Sequence, residues 1–226
     1  MKLIKIIDLS RSLETCPPQP KNASPFAFTP LTSTAKGDRA NSGWLTIPEH
    51  FSTHCDAPYH VNENWPSIEA VPLDAFTGPG IVLDLTKIRE SSAISAADIQ
   101  ESETRQGAPI GSGMIVLLHT GFDALYWQAN EGAARKLRKH PYLTGDAGDY
   151  FVSKGIKGLG MDMGSPDESG ADLAFHRKLL GNGIIIFEHL AQLEILPQSG
   201  FLFTALPLKI KGGSGSPVRA AGLVFG

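Results

Sequence analysis

A chain of 226 residues, 42% apolar and 19% charged, is long enough for one sizeable core and has an ordinary globular balance. A net charge of −3 with no basic stripe excludes a nucleic-acid surface as the expected role. Two cysteines, Cys16 and Cys55, make no disulfide framework, no stretch reaches the length of a membrane span, and Met1 to Ser10 lacks a signal-peptide core, so a cytoplasmic protein is expected.

In chain order, Leu3 to Leu9 reads as a first strand, rich in Ile and Leu. Cys16 to Gly43 is dense in Pro, Ser, Thr and Asn and reads as a long loop, or loops joined by short strands. Trp44 to Ile47 is a short strand, and Gly80 to Leu85 is a clear β run. Ser95 stands at a cap position before helix formers, so a helix starts there. Met114 to Leu118 is the next buried strand, and Phe122 to Lys139 has helix-forming composition with Pro141 as a stop. The basic run from Arg135 to His140 reads as the solvated face of that helix.

Thr144 to Gly148 is expected to be a turn before a short helix, Asp149 to Lys154. Gly158 to Met161 is strand-like, Leu173 to Leu180 is helical, and the β-branched run Ile184 to Phe187 is a buried strand. Phe201 to Lys209 reads as another strand, Gly212 to Pro217 as a flexible loop, and Val218 to Phe225 as the closing strand. Strands dominate the first half and alternate with helices in the second. That pattern predicts a single α/β domain over residues 1–226, with a mixed β-sheet and flanking helices.

The chemistry is concentrated between His50 and His60. Three of the seven histidines and Asp56 fall within eleven residues, all at even positions: 50, 54, 56 and 60. Imidazole and carboxylate are ligands of zinc, manganese or iron. In a fully extended strand, residues four apart are separated by ~13 Å, too far to share one ion. A turn is therefore expected at Ser52–Thr53, bringing His50, His54 and Asp56 together as metal ligands. His60 lies beyond Pro58, which stiffens the connection. It is read as a general base and then acid, with a fourth ligand or an orienting group as the other reading.

The run His50-Phe-Ser-Thr-His54-Cys-Asp56-Ala-Pro58-Tyr-His60 resembles the His-x-Gly-Thr-His-x-Asp-x-Pro-x-His signature of the metal-dependent cyclase superfamily, which includes kynurenine formamidases and isatin hydrolases. Ser52 stands where the signature has Gly; if that position takes a positive φ, Ser52 carries a small strain. The resemblance extends to Val71–Pro79, Leu118–Gly121, Gly160–Asp167, Ala205–Lys209 and Ser216–Arg219. It implies a swivelling β/β/α fold. It also implies a second ligand pair, His176 and Glu188, so that Asp56 bridges two ions, with His50 and His54 on the first. Glu188 has a reason of its own to need a cation, because it ends an apolar strand.

One or two Zn or Mn ions per chain are thus expected. Zn²⁺ lowers the pKa of a water from 15.7 to ~7, which suits attack on an amide, formamide, lactam or lactone carbonyl. Trp44, Phe51, Tyr59 and Trp65 lie near the cluster in sequence and are candidates to line a pocket for an aromatic or cyclic substrate. The expected function is a metal-dependent, arylformamidase-like hydrolase acting on a small molecule as a homodimer or homotetramer. The alternative is a non-catalytic, metal-stabilised binding protein of the same fold. No nucleophile elbow, phosphate loop or dinucleotide fingerprint competes with this reading.

Overall fold

Period-two alternation in the apolar runs sorts the core onto two faces of one sheet. In a computed structural model that describes residues 2–13, 26–88, 92–122 and 140–226, the strands are β1 (Leu3–Asp8), β2 (Ala27–Thr32), β3 (Ser42–Thr46), β4 (His54–Asp56), β5 (Thr77–Asp84), β6 (Ala93–Ile94), β7 (Ile115–His119), β8 (Tyr142–Leu143), β9 (Gly158–Met161), β10 (Ile185–Glu188), β11 (Ser199–Thr204), β12 (Gly215–Pro217) and β13 (Ala221–Phe225). The described α-helices are α1 (Ala96–Gln106), α2 (Gly145–Lys154) and α3 (Ala174–Gly181).

Nine strands form one mixed sheet in the order β1-β13-β11-β5-β7-β9-β10-β4-β12. The central four, β5-β7-β9-β10, are parallel, and antiparallel strands continue the sheet on both sides. Ile81, Leu83, Val116, Leu118, Leu159 and Ile186 pack with Ile99 of α1, Phe151 of α2 and Leu179 of α3. Their strand neighbours Val82, Ile115, Leu117, Ile185 and Phe187 pack on the other face with Ile7, Phe76, Phe201 and Phe203. Successive side chains of a strand point to opposite faces, which is why continuous apolar runs serve both cores. The architecture is the mixed-sheet α/β arrangement expected from the sequence.

Local signals mostly hold. Ser95 caps α1 in a full capping box: its hydroxyl accepts from the Asp98 N–H while the Asp98 carboxylate accepts from the Ser95 N–H. Three readings change. The helix expected from Asp149 starts at Gly145, because Thr144 sits extended at its N-cap and the glycines at 145 and 148 enter the first turns. The expected strand Phe201 to Lys209 begins at Ser199 and ends at Thr204, beyond which Pro207 makes only an isolated bridge to Val218. Part of the supposed flexible loop is a strand, β12, paired with β4. The basic run through Lys139, Cys16 and the helix expected beyond Phe122 lie outside the described residues.

Candidate metal centre

The site is built on one cross-strand register. β10 runs antiparallel to β4, so His54 lies opposite Glu188, Cys55 opposite Phe187 and Asp56 opposite Ile186. His54, Asp56 and Glu188 therefore share the face that α3 covers, while Cys55 points into the other core. α3 delivers His176 to the same place. The four side chains are all buried.

The turn expected at Ser52–Thr53 is present, and Ser52 makes it with a φ of +56°. The strain foreseen for a serine in that position is thus real, since left-handed backbone is costly for any residue with a Cβ. The Ser52 carbonyl accepts a hydrogen bond of 2.8 Å from His54 Nδ1. That bond leaves Nε2 of His54 free to face the carboxylates.

His54 Nε2 lies 3.4 Å from Asp56 Oδ1 and 3.4 Å from Glu188 Oε2. His176 Nε2 lies 3.3 Å from Asp56 Oδ2 and 3.3 Å from Glu188 Oε1. Two ligands ~2.1 Å from one ion in tetrahedral array are ~3.4 Å apart, so these separations fit donors of a shared cation. Asp56 Oδ2 and Glu188 Oε1 are buried without a hydrogen bond, which a divalent ion would remedy. The donor set of imidazole and carboxylate suits zinc or manganese.

A second group meets the first at Asp56: donor atoms of His50, Asp56 and His60 lie within 4.8 Å of one another, as do those of His54, Asp56 and Glu188. His50 and His54 both face Asp56 Oδ1, while His176 faces Asp56 Oδ2 and Glu188 Oε1. His54 faces Glu188, while His50 stands beside His60, with ring centroids 4.0 Å apart. His50 Nδ1 is 2.7 Å from Asp56 Oδ1, and its Nε2 is 2.8 Å from the Ser214 hydroxyl, which donates to Glu49 at 2.5 Å.

Charge follows geometry. Burial alone would raise the Asp56 carboxyl and lower the two facing imidazoles. For Asp56 the imidazoles of His176, His50 and His54 win and hold it well below the usual carboxylate range. Burial is likewise outweighed at His54, which Asp56 and Glu188 push up to about 9. At His176, Asp167, Asp56 and Glu188 outweigh burial and push it up to about 12. His60 goes the other way. Burial lowers its pKa and the Asp56 charge does not compensate.

Among the pocket candidates, Phe51 is buried and stacks on Phe26 at a centroid distance of 6.0 Å. Tyr59 is half-exposed on the Pro58–His60 turn. Trp65 packs on the end of α3, where a Cβ at Gly181 would come within 2.7 Å of its ring. Trp44 is 68% exposed on the β2–β3 hairpin. His189 follows Glu188 with a φ of +53°, and its ring lies 6.4 Å from that of His54. Asp167, Thr53, Ser214 and Glu49 were not singled out as site residues. Thr53 donates to the His189 carbonyl at 2.7 Å, and Asp167 meets His176 Nδ1 at 2.5 Å. Their roles are made by contacts across 9 to 165 residues of chain, for which no local pattern exists.

Known proteins resemble this chain in sequence and fold. The chain is 27% identical over 224 residues to the kynurenine formamidase of Bacillus thuringiensis subsp. konkukian, covering 97% of this chain and 98% of that protein. It is 30% identical over 200 residues to the isatin hydrolase of Roseibium aggregatum, covering 80% of this chain and 74% of that protein. The solved structure of isatin hydrolase A from Ralstonia solanacearum superposes with a TM-score of 0.85 at 26% identity, over 98% of this chain and 92% of that one. The Cyclase family model matches residues 7–168, most of the chain and the whole His50–His60 run, and the protein belongs to the Cyclase family.

Proposed function

We propose that the protein is a metal-dependent hydrolase that opens the carbonyl–nitrogen bond of a small aromatic formamide or cyclic amide, with the related lactone bond as the other substrate class. The observation that carries this reading is a pair of buried carboxylates, each with an oxygen lacking a hydrogen bond, facing two imidazoles with the His60 ring packed beside them. The curated relatives bearing the names kynurenine formamidase and isatin hydrolase support it.

His54, Asp56, His176 and Glu188 would hold one zinc or manganese ion, and His50 with Asp56 offers donors for a second. A bound divalent ion supplies Lewis acidity to the carbonyl and makes water acidic enough to attack at neutral pH. His60 takes the proton released as water adds to the carbonyl carbon, and returns it to the departing nitrogen or oxygen as the C–N or C–O bond breaks. His50, fixed between Asp56 and Ser214, keeps the His60 ring packed against its own. Tyr59, half-exposed beside His60, supplies aromatic surface for the substrate.

The non-catalytic alternative is not favoured, because the relatives bear the names of enzymes and a closed structural site has no use for a further histidine beside its ligands. We further place the protein in the cytoplasm as a homodimer or homotetramer. No described helix is long and apolar enough to cross a membrane. Both hairpin strands, β2 and β3, lie exposed with Phe28, Leu31, Trp44 and Leu45 uncovered.

The test is a panel of aryl formamides, cyclic amides and lactones offered to zinc- and manganese-loaded protein, with His60→Ala alongside. Hydrolysis of one class is expected, with His60→Ala keeping its metal and losing about 10²–10⁴-fold in kcat. An inert wild-type protein across the panel would sink the reading, and loss of metal in His60→Ala would make His60 a ligand.

A further inference from the structure

Asp167 lies at the end of the Gly160–Asp167 segment, six residues beyond the last residue of β9. Its carboxylate is buried and accepts from three donors of α3. Oδ1 takes the Phe175 N–H at 2.8 Å; Oδ2 takes the His176 N–H at 3.1 Å and the His176 ring at Nδ1, 2.5 Å away. Helix α3 has no cap of its own. Its N-cap residue is Leu173, in the left-handed region at φ +60°, with no side-chain hydrogen bond. One carboxylate therefore does two things for the same helix: it satisfies N–H groups of the first turn and fixes the ring of the histidine that this turn carries.

We infer that Asp167 is the positioning residue of the metal centre, holding His176 as the Nδ1–H tautomer so that Nε2 is the atom presented to the cation between Asp56 and Glu188. The inference rests on His176 being a metal ligand. An ionised carboxylate can only accept, so the Nδ1 atom it meets must carry the hydrogen, and Nε2 is left with its lone pair when a metal replaces the second proton. No neutral isostere can do both jobs. Asparagine has one accepting oxygen in place of two, and its NH₂ group would face either the Phe175 N–H or His176 Nδ1. In the first case the helix start is left unpaired. In the second the ring is driven to the Nε2–H tautomer, which cannot bind the ion.

The prediction differs from that of a plain helix cap. A cap alone changes stability and leaves metal affinity as it was. A positioning residue changes metal affinity and the ring's tautomer.

The experiment measures Zn²⁺ affinity by competition with a chromophoric chelator for the wild-type chain, Asp167→Asn, Asp167→Glu and His176→Ala. Ring ¹⁵N shifts of His176 are recorded in the zinc-loaded proteins. Asp167→Asn is expected to bind Zn²⁺ about 10–100-fold more weakly, with the Nδ1–H signature of His176 lost. Asp167→Glu, which restores the carboxylate, is expected to recover part of both. Wild-type affinity and tautomer in Asp167→Asn would overturn the proposal, as would Asp167→Glu binding no better than Asn where the Asn variant is too unstable to load. His176→Ala separates the two levels. If it binds Zn²⁺ like wild type, the ligand assignment itself falls. If it loses Zn²⁺ while Asp167→Asn does not, only the positioning role falls.

Discussion

Asp56 stays ionised although it is buried, because burial, which would raise its pKa, is outweighed by the imidazoles of His176, His50 and His54. The reciprocal effect falls on its partners. Burial lowers and Asp56 raises His54, with a net result of about 9; for His176 it is about 12. Without a divalent ion, protons do the ion's work. A histidine whose folded value lies above its unfolded value of 6.5 contributes stability that is complete below pH 6.5 and is lost as pH rises through about 9. Chelated protein should therefore lose thermal stability from pH 6.5 to 9, while zinc-loaded protein should not, and Zn²⁺ affinity should climb over the same range. Calorimetric scans of both forms across that range check this; parallel curves would show that the imidazoles are not charged in the ion-free site. His50, His54, Asp56 and His60 were legible at this scale because all four sit within eleven residues. Asp167 was not, because nothing in the sequence says which carboxylate meets the far side of a histidine nine residues away.

Elements bring these residues together by close approach, and β12 shows how. A Gly-Ser-Gly-Ser-Pro run reads as a flexible loop, since glycine weakens a strand and proline cannot donate within one. The strand exists because Gly215 has no side chain. It lies opposite Asp56, and a Cβ there would come 2.6 Å from His50 Cε1 and 2.7 Å from the Cys55 carbonyl. Proline is tolerated because β12 is the edge of the sheet. Gly215→Ala should therefore displace β12 and the His50 ring, costing about 1–3 kcal/mol and lowering metal content. Thermal melts and elemental analysis read both effects, and a variant with native stability and full metal would refute the packing argument. The apolar strands were legible by contrast, because Ile184–Phe187 and Met114–Leu118 announce burial on both faces by composition.

At the scale of the molecule, the centre joins β4, from the first quarter of the sequence, to β10 and α3, more than a hundred residues later. No spacing rule links His54 to Glu188. The resemblance to the cyclase superfamily named His176 and Glu188, and the antiparallel β4–β10 register gives the physical reason they meet His54 and Asp56. Which histidine faces which carboxylate oxygen follows from that register and from the turn at Ser52.

The exposed β2–β3 hairpin belongs to this scale too. Its exposed apolar side chains, Phe28, Leu31, Trp44 and Leu45, are the surface a second copy of the chain would cover. If the proposed dimer or tetramer forms through this face, Trp44→Asp should shift the sedimentation profile towards monomer, and an unchanged profile would rule the hairpin out as the contact.

The central claim is that two buried carboxylates and their imidazoles form a metal centre that drives amide hydrolysis. It is tested most directly by following aryl formamide hydrolysis in protein stripped with EDTA and then titrated with Zn²⁺ or Mn²⁺. Activity should disappear with the metal and return in proportion to bound ion. Equal activity in stripped and reloaded protein would contradict it.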